Sequence, residues 1–386
     1  MTQATQDKRV SSAELFFDLV FVFAVTEVSA VLGHDHSWAG LLRALVVFVP
    51  IYWMWVGTSI QTNLRDTSRP ALWLTIFTVA LAAVFMALAL PDAYGDLGLL
   101  FAISYWVGRL VLGMTLLRRS ALAATGSVNP YTISMFMTAP LLVVGALLPS
   151  GARELVWAGA ALLDLSTPSI LRARMRMMRF DAGHLAERFS LFVLIALGES
   201  VVAIGVSARS GQHLTFAVGC AVAAAFVLSC GLWWVYFAFA AEAIQHALST
   251  AKVQLDITRL VLSYGHLSFV AAIILLAVGM GDAVAEPGHH LGWAGAGLLY
   301  GGAALYLATF GFTRWAMFRL VSTTRLAAAT VVVVLMPAAA YLPALAALAA
   351  LALTVAVLNL VEFMRVEQQG WRARLGRRAD NRSSTG

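Results

Sequence analysis

Lysine occurs only twice in 386 residues, as Lys8 and Lys252, and so does cysteine, as Cys220 and Cys230. Each shortage excludes something. Neither lysine falls inside a long apolar run, so a retinal Schiff base on an intramembrane lysine is ruled out. Neither follows a glycine, so there is no Gly-Lys phosphate loop for ATP-driven pumping by this subunit alone. The two cysteines share one predicted helix about 15 Å apart along its axis, beyond the roughly 7 Å that a disulfide allows between Cα atoms. Charge is scarce as well, at 12% of residues against about 25% in soluble globular proteins. Gly-x-Ser-x-Gly, His-Glu-x-x-His and paired-cysteine motifs are missing, and the acids do not converge by sequence on a water-accessible face. We therefore expect no enzyme, no cofactor and no resident metal.

What the chain has instead is hydrophobicity, at 60% of residues. Apolar runs of about 20 residues follow one another with short breaks, the length a helix needs to cross ~30 Å of hydrocarbon. Backbone groups in lipid must bond within their own segment, which selects helices. The expected fold is all-α, a polytopic membrane helix bundle of about 12 spans. They are placed near 14–32, 41–62, 71–90, 96–117, 131–149, 153–171, 187–207, 214–242, 259–280, 291–313, 325–342 and 344–364. Pro337 and Pro343 divide the last two, since one helix of ~40 residues would be twice the membrane thickness. The acids Glu14, Asp18 and Glu27 make the first run unlike a cleavable signal, so it is expected to stay as an anchor.

All lysines and arginines except Arg43, Arg109, Arg153 and Arg209 fall on one side of this parse, whereas the opposite loops at 91–96 and 281–286 are acidic. The positive-inside rule makes the basic side cytoplasmic, with both chain ends there. Topology then accounts for the net charge of +6, and nucleic acid is not expected as a partner. The expected organisation is a cytoplasmic N-terminus (1–13), a first six-helix half (14–171), a basic linker (172–186), a second half (187–364) and a basic tail (365–386) that can meet anionic lipid. Glu14-Leu15-Phe16-Phe17 and Glu187-Arg188-Phe189-Ser190 open the two halves. Aromatic clusters at Tyr52-Trp53-Met54-Trp55 and Trp233-Trp234-Val235-Tyr236 follow. These pairs predict a 6+6 parallel internal repeat with a period of about 173 residues.

Two stretches carry a family likeness: Val10-Ser11-Ser12-Ala13-Glu14-Leu15-Phe16-Phe17-Asp18-Leu19-Val20-Phe21-Val22-Phe23, and His184-Leu185-Ala186-Glu187-Arg188-Phe189-Ser190 continuing to Leu197-Gly198-Glu199-Ser200. With charges at fixed places inside apolar helices, they resemble the hallmark segments of the bacterial low-temperature-requirement A family. The resemblance implies a bacterial cytoplasmic membrane and a loose link to growth in the cold. It carries over no reaction, substrate or residue role, so function is argued from the residues.

An ionisable residue central in a membrane costs at least ~2.5 kcal/mol and marks function by default. Glu14 and Asp18 share a face near the start of the first helix. Glu27 lies about 20 Å beyond Glu14, and Glu199 about 18 Å beyond Glu187, so Glu27 and Glu199 reach similar depths. Glu14, Asp18, Glu27, Glu187 and Glu199 are the candidates for proton or cation coupling, since carboxylates held close suit such a carrier; otherwise they are interhelical packing contacts. Arg109 is the only basic residue deep in a predicted span, at about 12 Å, and Asp164 lies about 10 Å deep. We expect these two to pair inside the bundle, with Asp18 joining if the first helix is adjacent. Such a pair either fixes helix register or leaves the arginine to hold an anionic group bidentately. His266, beside Tyr264, is a relay candidate or a helix contact. His184 and Glu187 are expected to serve capping and topology. Trp53, Trp55, Trp233 and Trp234 either line a cavity between the halves or pack and anchor helices. Gly297 and Gly301 form a small-xxx-small face for close helix contact.

Buried acids, a parallel repeat and no ATP motif together predict a secondary transporter of unknown small solute or ion, coupled to protons or cations. The alternative is a non-transporting membrane factor that senses lipid state or scaffolds a partner.

Overall fold

The computed structural model describes residues 8–65, 69–117, 128–210, 214–238 and 240–383, and no strand occurs among them. The first half comprises α1 (Ser12–His34), α2 (Trp38–Asn63), α3 (Pro70–Ala89), α4 (Gly98–Leu117), α5 (Pro130–Ala146) and α6 (Ala152–Ile170). A linker with a single turn at Arg172–Met175 leads to α7 (Ala182–Ser210), α8 (Phe216–Phe237), α9 (Ala240–Thr250), α10 (Gln254–Ala285), α11 (Gly292–Phe318), α12 (Thr323–Ala339) and α13 (Ala344–Ser383). Nine described helices are long and apolar enough to cross a membrane; α5 and α12 are shorter apolar helices. The chain is thus a multi-pass α-helical membrane protein. Exposed Leu74, Leu81, Phe85, Val206, Val334 and Leu353 lie on the helices of the periphery, a display that water does not tolerate and lipid requires.

Within the first half α1 packs on α2 and α3, α3 on α4, α4 on α5, α5 on α6, and α6 returns to α2. In the second half α7 packs on α8 and α10, α10 on α11, α11 on α12, α12 on α13, and α13 returns to α8. The halves meet where α1 and α2 lie against α7 and α10. Aromatic rings fill this seam: Trp55 of α2 stacks on Phe192 of α7 with centroids 4.1 Å apart and meets Phe189 edge-on at 4.8 Å.

Three differences from the sequence parse have local causes. An additional helix, α9, occupies part of the stretch read as a connection, because Ala240, Ile244, Ala247 and Leu248 recur at helical spacing and are buried, on α7. The last helix runs on to Ser383 through the segment assigned to a separate tail. Gly297 and Gly301 are not the close-contact glycines: a Cβ at Gly301 would meet nothing within 4 Å. Gly279 and Gly302 serve instead, where a Cβ would lie 3.0 Å from Leu299 N and from Leu275 Cβ respectively, so α10 and α11 approach through them.

Candidate functional site

At the end of the bundle that holds the linker and the start of α1, two short stretches face each other. Ser11 caps α1, and its N–H and hydroxyl both donate to Glu14 Oε2 at 2.9 Å, the reciprocal bonding of a Ser-x-x-Glu helix start. Asp18 lies one turn further on the same face. His184 and Arg188 of α7 repeat that four-residue spacing and meet the acids. His184 Nε2 is 3.2 Å from Glu14 Oε1. Arg188 Nη1 is 3.7 Å from Glu14 Oε1, and Nη2 donates to Asp18 Oδ1 at 2.9 Å and to Ser59 Oγ at 3.2 Å. Trp55 Nε1–H donates to the same Asp18 oxygen at 2.8 Å. All four ionisable residues are 0% exposed.

The histidine's proton is assigned by its neighbours. Asn63 Oδ1 accepts from the Asp181 N–H at 3.1 Å, so its amide nitrogen must be the group 3.1 Å from His184 Nδ1. That nitrogen donates, Nδ1 accepts, and the ring proton sits on Nε2, pointing at Glu14. Two carboxyl groups thus share one arginine in this buried set. Among the described residues, Asp18 Oδ2 and Arg188 Nε and Nη1 are buried without hydrogen-bond partners. A closed site with more carboxyl groups than arginines and free acceptor capacity favours uptake of a proton or a small cation.

These contacts correct the sequence reading in three places. Arg188, counted among the cytoplasmic loop charges, is as deeply buried as Arg109, because α7 begins at Ala182 rather than at 187. His184, assigned to capping and topology, is a buried partner of Glu14, whereas Glu187 is exposed on another face of α7. Asp18 is engaged by Arg188 and Trp55 and does not complete the Arg109 pair. The matched spacing of Glu14-x-x-x-Asp18 and His184-x-x-x-Arg188 was the available signal, and it needed the two helices to be known neighbours.

Further along the seam, Glu199 of α7 stands beside Thr26 of α1 and within electrostatic range of Glu27. Arg109 Nη2 lies 3.9 Å from Asp164 Oδ2, with Tyr105 between them: its hydroxyl accepts from Arg109 Nε at 2.8 Å and donates to Asp164. Arg109 also lines a cavity of about 50 Å³ between the halves, together with Trp53, Val56, Ile60, Met178 and Arg259. Trp53 stacks on Tyr264 with centroids 6.1 Å apart, and the Tyr264 hydroxyl donates to Leu165 O at 2.6 Å. Trp233 and Trp234, by contrast, are 43% and 44% exposed on α8. Residues Thr258–Gly265 of α10 form a π turn, a widening common at functional sites. Val261 O accepts there from His266 Nδ1 at 2.9 Å, so Nε2 accepts from the Tyr236 hydroxyl at 2.7 Å, and Ser190 lies 3.3 Å beyond. Side chains of the basic tail lie outside those described.

The family model described as bacterial low temperature requirement A protein (LtrA) matches residues 9–360. An uncharacterised protein of Rhizobium meliloti (strain 1021) is 32% identical over 316 residues, covering 79% of this chain and 76% of its own length. No solved structure matches the chain. The Glu14–Asp18 and His184–Arg188 stretches that build the buried charge cluster lie inside the matched span, and the chain belongs to the bacterial low temperature requirement A family.

Proposed function

We propose that the protein is a proton-coupled secondary transporter, built as two six-helix halves of one duplicated unit with twelve membrane passes, and that it has no enzymatic activity. The observation that carries this reading is the buried Glu14–Asp18–His184–Arg188 cluster, closed from water, with two carboxyl groups to one arginine and set on the seam between the halves. The matching order of the main helix contacts in α1–α6 and in α7, α8 and α10–α13 supports the duplication. An even number of passes per unit would give the halves one orientation, as in parallel-repeat transporters, and the excess of basic residues at the linker end supports the reading that both termini face the cytoplasm of a bacterial inner membrane. The coupling acids move from the Glu27 and Glu199 of the sequence reading to this cluster. Glu27 and Glu199 remain as a second acidic position on the same α1–α7 seam, near its other end.

Purified protein in liposomes under an imposed pH gradient tests the reading. A solute from a broad panel should accelerate proton movement, and Asp18→Asn, which removes one of the two carboxyl groups, should leave folded protein without that coupling. Protein that moves neither proton nor solute would defeat the proposal. The aromatic seam of Trp55, Phe189 and Phe192 favours a second reading, a rigid membrane factor whose halves never part, and the same null result would select it.

A further inference from the structure

We propose that the cavity between the halves, at about 50 Å³, is a binding site for a small monocarboxylate of acetate size, held by Arg109 and Arg259. This deepens the transporter reading by naming a substrate class, and it rests on that reading only for the role of the bound molecule. Arg109 is 2% exposed, yet among the described residues only its Nε makes a hydrogen bond, to Tyr105. Nη2 is buried 3.9 Å from Asp164 Oδ2, without a hydrogen bond among the described residues. Nη1 lies against α2 where only Gly57 leaves room, since a Cβ there would sit 2.8 Å from it. A guanidinium committed to register alone would turn its fork onto Asp164 bidentately, whereas this one bonds that acid through Tyr105 and leaves its two terminal nitrogens without hydrogen bonds to it.

Arg259 enters the same cavity from the other half. Its Nη1 donates to Ser169 Oγ at 2.8 Å and its Nη2 is 3.7 Å from Asp256, while Nε is buried without a partner. Asp256 is already gripped by Arg172, with Nε and Nη2 both 2.6 Å from its carboxylate oxygens. Arg109 and Arg259 thus present unbonded donors to one space from opposite halves, as a single carboxylate requires. The rest of the wall is Trp53, Val56, Ile60 and Met178, which suits a methyl-sized hydrocarbon end and leaves a phosphate dianion poorly solvated.

Binding to the full chain in detergent, read by titration calorimetry and by thermal shift, separates the possibilities. The probes are acetate, its uncharged match acetamide, and inorganic phosphate. Acetate should bind and raise the melting temperature, and acetamide and phosphate should not. Arg259→Gln, which leaves Asp256 on Arg172 and Arg109 on Tyr105, should weaken acetate on the order of tenfold or more, and Gly57→Ala, which crowds the Arg109 fork, should do the same. No binding of acetate at millimolar concentration, equal binding of acetamide or phosphate, or acetate affinity indifferent to both substitutions overturns the site. Arginine-dependent binding without acetate-driven proton flux in liposomes keeps the site and removes transport of this class. Coupled flux of another solute, unchanged in both variants, keeps transport and removes the site.

Discussion

Arg188 holds two acids apart. With Arg188→Gln, Glu14 and Asp18 are left on one helix face, four residues apart and fully buried, with no cation between α1 and α7. Breaking a buried pair in this way costs about 3–5 kcal/mol, so the variant should show a lowered melting temperature in detergent and a smaller folded yield. Adding Asp18→Asn removes one of the stranded charges and should restore part of both. A double variant no better than Arg188→Gln alone would mean that the arginine acts through packing on Phe17 and Trp55, over whose rings its guanidinium lies at 6.0 and 5.8 Å. Tyr105 offers a second test at this scale. Tyr105→Phe takes away the only hydroxyl linking Arg109 Nε to Asp164 and leaves both with unmet polar atoms, a loss of about 1–3 kcal/mol. Thermal unfolding of Tyr105→Phe beside Arg109→Ala and Asp164→Asn measures whether the three act as one unit, in which case the losses will not add.

Helices meet most closely where side chains vanish. Gly279 and Gly302 bring α10 and α11 together, and a methyl at either would have to displace backbone and Leu275, Leu276 or Leu299. Gly279→Ala and Gly302→Ala should each destabilise by about 1–3 kcal/mol through overpacking. Gly301→Ala, with nothing nearby, should leave the melting temperature unchanged. That contrast separates the contact read from the small-xxx-small spacing from the contact that exists. The spacing was visible in the sequence, but the π turn at Gly297–Gly301 changes the helical register there, so counting residues at 3.6 per turn points to the wrong face. The π turn at Thr258–Gly265 has the same effect on α10: the Val261 carbonyl that receives His266 is set by the turn, and periodicity has no means of announcing it.

Alternating access of a two-half transporter requires the α1/α2 and α7/α10 surfaces to move against each other. Val56 of α2 and Leu255 of α10 line the cavity from opposite halves. With Cys220 and Cys230, both free, first replaced by serine, Val56→Cys and Leu255→Cys joined by a short bifunctional maleimide should arrest solute exchange and leave thermal stability intact or raised. Exchange that continues at full rate after cross-linking would disprove rocking about this seam. It would leave the charge cluster to be explained as a static anchor.

Hydropathy by itself determined the helical membrane class and located the long apolar helices, though not α9, because lipid permits only segments that satisfy their own backbone. It also marked Glu14, Asp18, Glu199 and Arg109 as exceptional, since any charge in an apolar run is costly wherever the helix lies. Partnership was beyond its reach. Whether Asp18 turns to Arg188 or to Arg109, whether His184 caps a helix or meets an acid, and whether a tryptophan faces a cavity, as Trp53 does, or the periphery, as Trp233 and Trp234 do, depends on how helices far apart in the chain are rotated and placed side by side. That rotation is settled by the packing of whole faces, such as the aromatic seam of Trp55, Phe189 and Phe192, and a sequence read one helix at a time contains the faces but not their pairing.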